Sequence, residues 1–392
     1  MGAAPLAPAP APTPWWEKLS AGAFVDTYYS QNWNNPRPGV NANRFHPYDQ
    51  HTGFGLAWFG LDLALQSDNV GMVAQVRLGP STPNLALNDA AVAGGVGSLQ
   101  NAYAQWKPGG KEGSLTLIAG KFDTVFGAEV AASQLNANYT RGALYNLVQP
   151  FFHTGLRADI SVSSVLGFKL LAVNGWNNTI DNNRGKSFGG QLGLTPSDRY
   201  SFYVGWMGGP EQSNQAVVHC DAGSAFDATT QACAASSAAP ASDNTVDDAN
   251  ADNRWRHIVD LIVDLKPADT LRVVLNGDYA IDELRKAAGP HLRKKQEWYG
   301  ASLIVRYKLT EVFAAAARGE RIRDRDGYVT GTGKDVNLTT ATLTLEAAPT
   351  PFLLVRVDQR VDLADDKVFL AGVDGAKKQQ VTTTLGLVAH TD

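Results

Sequence analysis

Hydrophobic and polar side chains alternate along most of the chain with a period of two. In residues 270–281, for example, Leu271, Val273 and Leu275 alternate with Arg272 and Asn276. A period of two places successive side chains on opposite faces of an extended strand, whereas an amphipathic helix repeats every three to four residues. The pattern therefore predicts an all-β protein whose strands carry one apolar and one polar face.

About sixteen such segments follow one another along the chain. They lie near residues 19–29, 54–66, 70–78, 98–107, 114–121, 154–162, 167–176, 186–195, 199–208, 254–265, 270–281, 296–308, 311–322, 336–347, 351–361 and 379–389. Short and long links between them alternate without a break. This alternation is typical of a transmembrane antiparallel β-barrel with short periplasmic turns and long extracellular loops. An even strand number places both chain ends in the periplasm.

The two faces of the strands indicate which side meets lipid. Charged residues of both signs recur on the polar faces, and they are too numerous to bury in a packed core. About sixteen strands also enclose a lumen too wide for side chains to fill. Aromatic residues near strand ends suit the girdles at the two membrane interfaces. They are Trp15, Trp16, Tyr28, Tyr29, Trp106, Trp176, Trp206, Trp255, Trp298 and Tyr299. We therefore expect apolar faces towards lipid and polar faces around a water-filled lumen.

Composition agrees with this interpretation and narrows the function. Charged residues form 18% of the 392 residues, and the net charge of −4 provides no basic field for nucleic acid. No window approaches eighteen consecutive apolar residues, so a membrane span must consist of strands. Residues 1–17 are expected to be a Pro/Ala-rich periplasmic segment without a signal peptide, and residues 18–392 a single barrel. Cys220 and Cys233 are expected to form a disulfide in an oxidising compartment.

Several segments resemble the OmpL-like β-barrel porins of Gram-negative bacteria. The first strand and loop, Phe24–Tyr29 and Asn32–Pro36, are similar to that family, and the match is stronger over Gly120–Glu129, Asn138–Arg141 and Pro150–Arg157. The resemblance covers roughly the first 160 residues. It implies an outer-membrane location, contact with lipid and lipopolysaccharide, passage of small polar solutes, no catalytic residues and no cofactor. Porins of this size are often trimers, so a homotrimer is expected by analogy.

The third long link, residues 122–153, is the most distinctive segment. By resemblance to porins it folds into the lumen and narrows it, with acids and bases setting a transverse field. The alternative is an external loop held to the barrel rim. Candidate residues in and beside the link are Lys121, Asp123, Glu129, Arg141, His153 and Arg157. Candidate lumen charges on other strands include Arg77, Asp159, Arg272, Arg306 and Arg356. The inward charges of all the strands form either a selectivity ladder or cross-strand ion pairs. Inward arginines and inward acids are nearly equal in number along the chain, which predicts no strong selectivity.

The long link near residues 209–253 raises two further hypotheses. Its acids Asp243, Asp247, Asp248 and Asp252, with Asn244, suit a calcium ion, but the twelve-residue EF-hand spacing is missing and a solvated loop is favoured. The loop is also the binding element of an alternative function, a closed barrel acting as an adhesin or receptor. A soluble all-β binding protein is the third hypothesis. Neither HExxH nor G-x-S-x-G occurs, so no enzyme is predicted.

Overall fold

The computed structural model describes residues 14–39, 42–86, 96–221, 226–227, 232–233, 241–247, 251–285 and 293–391. Strands are numbered β1 to β22 in chain order. The barrel strands are β1 (Leu19–Asn32), β2 (Gly53–Gln66), β3 (Val70–Leu78), β4 (Leu99–Trp106), β5 (Leu115–Asp123), β6 (Phe152–Ser161), β7 (Leu166–Val173), β8 (Ser187–Ser197), β9 (Tyr200–Pro210), β14 (Trp255–Ala268), β15 (Leu271–Arg285), β16 (Arg293–Lys308), β17 (Phe313–Asp324), β18 (Val336–Thr350), β19 (Leu353–Ala364) and β22 (Gln379–His390).

The remaining elements lie in the long links. They are the hairpins of β10 (Gln215–Asp221) with β13 (Ala241–Asp247), β11 (Phe226–Asp227) with β12 (Ala232–Cys233), and β20 (Phe369–Ala371) with β21 (Gly375–Lys377); the helices α1 (Thr82–Ala86) and α2 (Ala143–Leu147); and 3-10 turns at Trp15–Lys18, Val96–Ser98, Gly110–Glu112, Ser133–Leu135 and Ala251–Asn253. The Cys220–Cys233 disulfide is present, with Cα atoms 5.6 Å apart, and confirms the predicted pairing.

Sixteen antiparallel strands form one closed barrel in chain order, which confirms the predicted fold. Closure is made by β1 and β22, whose register runs from Phe24 opposite His390 to Asn32 opposite Thr382. Closing the sheet leaves no edge strand with unpaired backbone groups. No helix in the described ranges is long and apolar enough to cross a membrane.

The strands bury their polar side chains and expose their apolar ones, which is the reverse of the distribution in soluble proteins. On β14, Asp260 is completely buried while its neighbours Val259 and Leu261 are 46% and 48% exposed. On β18, Leu343 and Leu345 are more exposed still, whereas the alternating threonines face inwards and are buried. Apolar side chains on the outside and polar ones inside are what a lipid environment demands of a strand with two different faces.

Two details differ from the sequence-based expectation. The register of β1 against β2 shifts by one residue beside Ala57, so Ala57 and Trp58 are both buried and the simple alternation is interrupted by a bulge. In addition, Tyr28, Trp176 and Trp298 are buried inside the barrel rather than placed in an interfacial girdle. For these three residues the prediction of an interfacial position was wrong. It used only their position near a strand end, whereas their rings point into the barrel.

Candidate functional site

The link between β5 and β6, residues 124–151, is held tightly at its two ends. The amide of Thr124 donates to the carbonyl of Phe151 (3.0 Å), so the two ends of the loop lie together. The buried imidazole of His153 contacts Thr124 Oγ1 through Nε2 and the Gly175 carbonyl through Nδ1, both at 3.0 Å. These bonds fix the direction in which the chain leaves the barrel wall.

One part of loop 124–151 contacts the inner faces of β14 and β15. The Gly127 amide donates to Asp260 (3.1 Å), and the Ala128 amide donates to Asn276 (3.0 Å). The side chain of Gln149 also donates to Asn276 and to Asp278. A loop that starts on β5 thus reaches inward-facing side chains on strands that are five and six positions away in the barrel order.

The short helix α2 within the loop is fastened to β17. The carboxylate of Glu320 accepts the amides of Ala143 and Leu144 (both 3.0 Å), which are the first helical donors and have no partner inside the helix. Arg318, completely buried by side chain, pairs with Glu129 at 2.8 Å and Glu320 at 3.3 Å. Burial raises the pKa of Glu129 above its ordinary value, while Arg318 opposes that rise.

Further contacts join the loop to β19 and β1. The amide and hydroxyl of Thr140 donate to Asp358 at 2.8 and 2.9 Å. The hydroxyls of Ser133 and Tyr139 each donate to the buried Asp26 at 2.6 Å. Tyr139 also packs on Gly386 of β22, where a Cβ atom would overlap its ring. Because residue 386 is a glycine and has no side chain, the Tyr139 ring has room to pack against the wall at this point.

The first long link, residues 33–52, meets the same loop. The hydroxyl groups of Tyr48 and Tyr145 are 2.7 Å apart, and His46 contacts Asp49 at 2.8 Å and Asp362 at 3.5 Å. Burial alone would lower the pKa of His46, but these two carboxylates hold it above its ordinary value. Two loops and the barrel wall consequently share one buried polar and aromatic network.

The candidate residues predicted from the sequence divide into two groups by exposure. The buried residues, which contact the barrel wall or the loop, are Arg77, Lys121, Glu129, Arg141, His153 and Arg356. Partly exposed ones are Asp123, Arg157, Asp159, Arg272 and Arg306. Arg141, for instance, bonds back to the carbonyls of Ala131 and Tyr139 of its own loop. The second group alone presents substantial charge to water.

A cavity of about 480 Å³ lies inside the barrel beside residues 130–137 of the loop. Three ion pairs contribute charged side chains to its lining, and the more exposed member is an arginine on one wall and an aspartate on the other. Arg272 and Arg306 are 47% and 34% exposed, against 19% and 7% for their partners Asp264 and Glu346. On the opposite wall Asp62 is 28% exposed and its partner is 2% exposed. Accessible positive and negative charges therefore face each other across the cavity.

Sequence reasoning missed several buried groups of this network. They are His46, Asp49, Glu211, Glu320 and Asp362. Glu320 and Asp362 each lie two residues beyond an inward arginine, so continuing the period-two count along β17 and β19 would have identified them. His46, Asp49 and Glu211 lie in loops, where no periodicity exists to predict their burial.

The proposed cation ligands of the 209–253 link are only partly described. Asp247 pairs with Arg184 at 2.7 Å, and Asp252 accepts the amides of Arg184 and Gly185. The side chains of Asp243 and Asn244, and the whole of Asp248, lie outside the described residues. Among the described residues, no group of three or more histidine, cysteine, aspartate or glutamate side chains is arranged to hold a metal ion.

The closed antiparallel sheet has an apolar outer face and a polar inner face, and a loop folds inwards from its wall. These features define a porin-like outer-membrane β-barrel. The chain belongs to the family of putative beta-barrel porin-2, OmpL-like, whose family model matches residues 18–390. A search of curated proteins found no match.

Solved structures share the fold at low sequence identity. A loop L8 deletion mutant of OmpT, an outer membrane protein of Vibrio cholerae, is 11% identical with a TM-score of 0.57, covering 95% of this chain and 99% of that one. The trimer form of in-vitro folded OmpT from the same organism is 14% identical with a TM-score of 0.54 and the same coverage. An anion-selective porin from Comamonas acidovorans is 8% identical with a TM-score of 0.53, again over 95% and 99%.

Proposed function

We propose that the protein is a passive diffusion channel for small hydrophilic solutes or ions across the outer membrane, and that it performs no covalent chemistry. Family membership supports a channel. The single observation that carries the proposal is the cavity of about 480 Å³ inside the barrel, lined by charged and amide side chains. A wall of this kind is solvated by water, because so many partly exposed charges are too costly to enclose in a dry interior.

We further propose that loop 124–151 narrows this lumen. Support comes from its hydrogen bonds to inward-facing residues on strands far around the barrel, including Asp26, Asp260, Glu320 and Asp358. A segment held at so many points acts as a fixed obstruction rather than a mobile lid. The channel should therefore have a constant size limit for solutes.

The accessible charges are proposed to set a transverse field, as charged rings do in other channels. Arg272 and Arg306 on one side face Asp62 on the other, so a dipolar solute passing the cavity would be oriented. Because both signs are accessible, net ion selectivity should be weak. Reversing the charge of the two arginines should remove this balance and favour cations.

Liposome swelling tests the channel and its size limit together. Purified protein should admit arabinose rapidly and the tetrasaccharide stachyose slowly or not at all. In planar bilayers with a salt gradient, Arg272→Glu combined with Arg306→Glu should shift the reversal potential towards cation selectivity. Arg323→Glu, at an exposed pair outside the lumen, is the control. Equal potentials in both variants would contradict the proposed field.

A homotrimer is proposed by analogy with the trimer form of OmpT, and contact with lipid and lipopolysaccharide follows from the outer-membrane location. Mass measurement in detergent tests the trimer. The adhesin alternative is not proposed, since much of the 209–253 link on which it depends lies outside the described residues.

A further inference from the structure

A second cavity, of about 460 Å³, lies at the end of the barrel that carries the long links. Its lining includes Asn146 of the loop and residues that lie within four positions of the end of a barrel strand: Trp176 after β7, Glu211 after β9 and Tyr328 after β17. In a barrel with short periplasmic turns this end is the outer mouth. The volume lies within the range of roughly 300–1,000 Å³ found for small-molecule sites.

Arg256 is fixed at the centre of this lining. Its Nε and Nη2 donate to Asp282 at 3.1 and 2.6 Å, and Nη2 also donates to the Tyr328 hydroxyl at 3.0 Å. The rings of Trp176 and Trp298 lie 5.1 and 5.8 Å from the guanidinium carbon. Such packing removes the side chain's freedom before any solute arrives, so little ordering cost remains on binding.

The charge of the cavity is close to neutral. Asp282 already matches the guanidinium charge, and its side chain is completely buried beside it. Glu211 accepts the Trp176 amide (2.8 Å) and the Ser187 hydroxyl (2.7 Å), and burial raises its pKa to about 7. A free anion would therefore meet no surplus positive charge here, and a cation would meet only a partly ionised carboxyl.

Hydrogen-bonding capacity, by contrast, is in surplus. Arg256 Nη1 makes no hydrogen bond within the described part of the chain, and the same holds for the side-chain amides of Asn146 and Asn178. Each amide offers two donors and one acceptor, and the guanidinium offers donors alone. The ligand that suits this lining best carries several adjacent groups, each of which can both donate and accept a hydrogen bond.

We propose that this cavity is a binding site for a neutral polyhydroxylated solute, a sugar, at the outer mouth of the channel. The hydroxyls of a sugar donate and accept together, and they carry no charge that the paired Arg256 and Asp282 would have to balance. The inference rests on the proposed channel function, and it gives that function a solute class.

Single-channel recording with D-glucose tests the site. Glucose added to the long-loop side should reduce conductance in a saturable way. The double variant Asn146→Ala with Asn178→Ala should raise the half-blocking concentration about tenfold, which is a loss of about 1.4 kcal/mol, because two neutral hydrogen bonds to the solute are removed. Asn69→Ala, an exposed amide in a turn at the opposite end, is the matched control and should leave the block unchanged.

Several results would overturn the inference. Gluconate blocking at lower concentrations than glucose would indicate an anion site, and a block equally weakened by Asn69→Ala would remove the assignment to this cavity. A channel that conducts without saturable block refutes the sugar site and leaves the channel intact. Absence of conductance refutes the channel itself, and the sugar site with it.

Discussion

The substitution Arg318→Met should release loop 124–151 from the wall of β17. Arg318 is enclosed by Glu129 (2.8 Å), Glu320 (3.3 Å) and the Thr140 carbonyl (2.6 Å). Methionine keeps much of the volume and removes the charge. Glu129 and Glu320 then lose the one cation that pairs with both of them, and their mutual repulsion remains. Glu320 also accepts the first amides of α2.

The size of the effect follows from burial. Removing one partner of a buried ion pair costs about 3–5 kcal/mol, because the remaining charge stays desolvated. If that cost falls on the docked loop, the equilibrium between docked and released states shifts by about two to four orders of magnitude. Part of the cost is relieved if Glu129 binds a proton, so the effect should be larger at pH 8 than at pH 5.

Bilayer recording and limited proteolysis measure this release. Arg318→Met should show noisier and larger conductance steps, faster stachyose uptake, and cleavage within residues 124–151 that the wild type resists. The control is Arg323→Met on the same strand, whose pair with Asp335 is 40% and 44% exposed and therefore worth little. Identical current traces and cleavage patterns in the two variants would refute the anchoring role of Arg318.

Three further outcomes are expected. Tyr139→Phe should weaken loop docking by about 1–3 kcal/mol, because Asp26 loses a buried hydrogen bond of 2.6 Å, and proteolysis rates measure it. Replacing Cys220 and Cys233 with serine should speed cleavage of the 209–253 link and leave conductance unchanged, since the disulfide joins residues of that link alone. Glu211 has a folded-state pKa of about 7, above its ordinary value of 4.5, so its contribution to stability is lost as pH rises from about 4.5 through 7. Comparing urea midpoints of wild type and Glu211→Gln across that range should reveal a pH-dependent difference, and a constant difference would contradict the assignment.

The barrel itself was predictable from the sequence, because the alternation of side chains between the two faces of a strand is a local and periodic pattern. An inward Asp260 between outward Val259 and Leu261 can be identified from spacing alone. Sixteen strands and their order follow from repetition of that pattern with alternating short and long links. The bulge at Ala57 was missed, since a single extra residue leaves no trace in composition.

The interior of the barrel was only partly predictable. The segment around Glu129 and Arg141 was distinctive, and the inward arginines followed from strand register. What each charge does was not predictable, because it depends on which loop atom reaches it. Arg318 and Arg272 both point into the barrel, yet the side chain of Arg318 is fully buried under the loop and that of Arg272 is 47% exposed. Long-range contacts between loop and wall decide that difference.

Single-channel conductance tests the central claim most directly. Detergent-purified protein added to a planar bilayer should produce discrete, stepwise increases in current that scale with salt concentration and do not require any energy source. A barrel that inserts fully, as judged by its resistance to external protease, and yet produces no current steps would contradict the account of this protein as a passive diffusion channel.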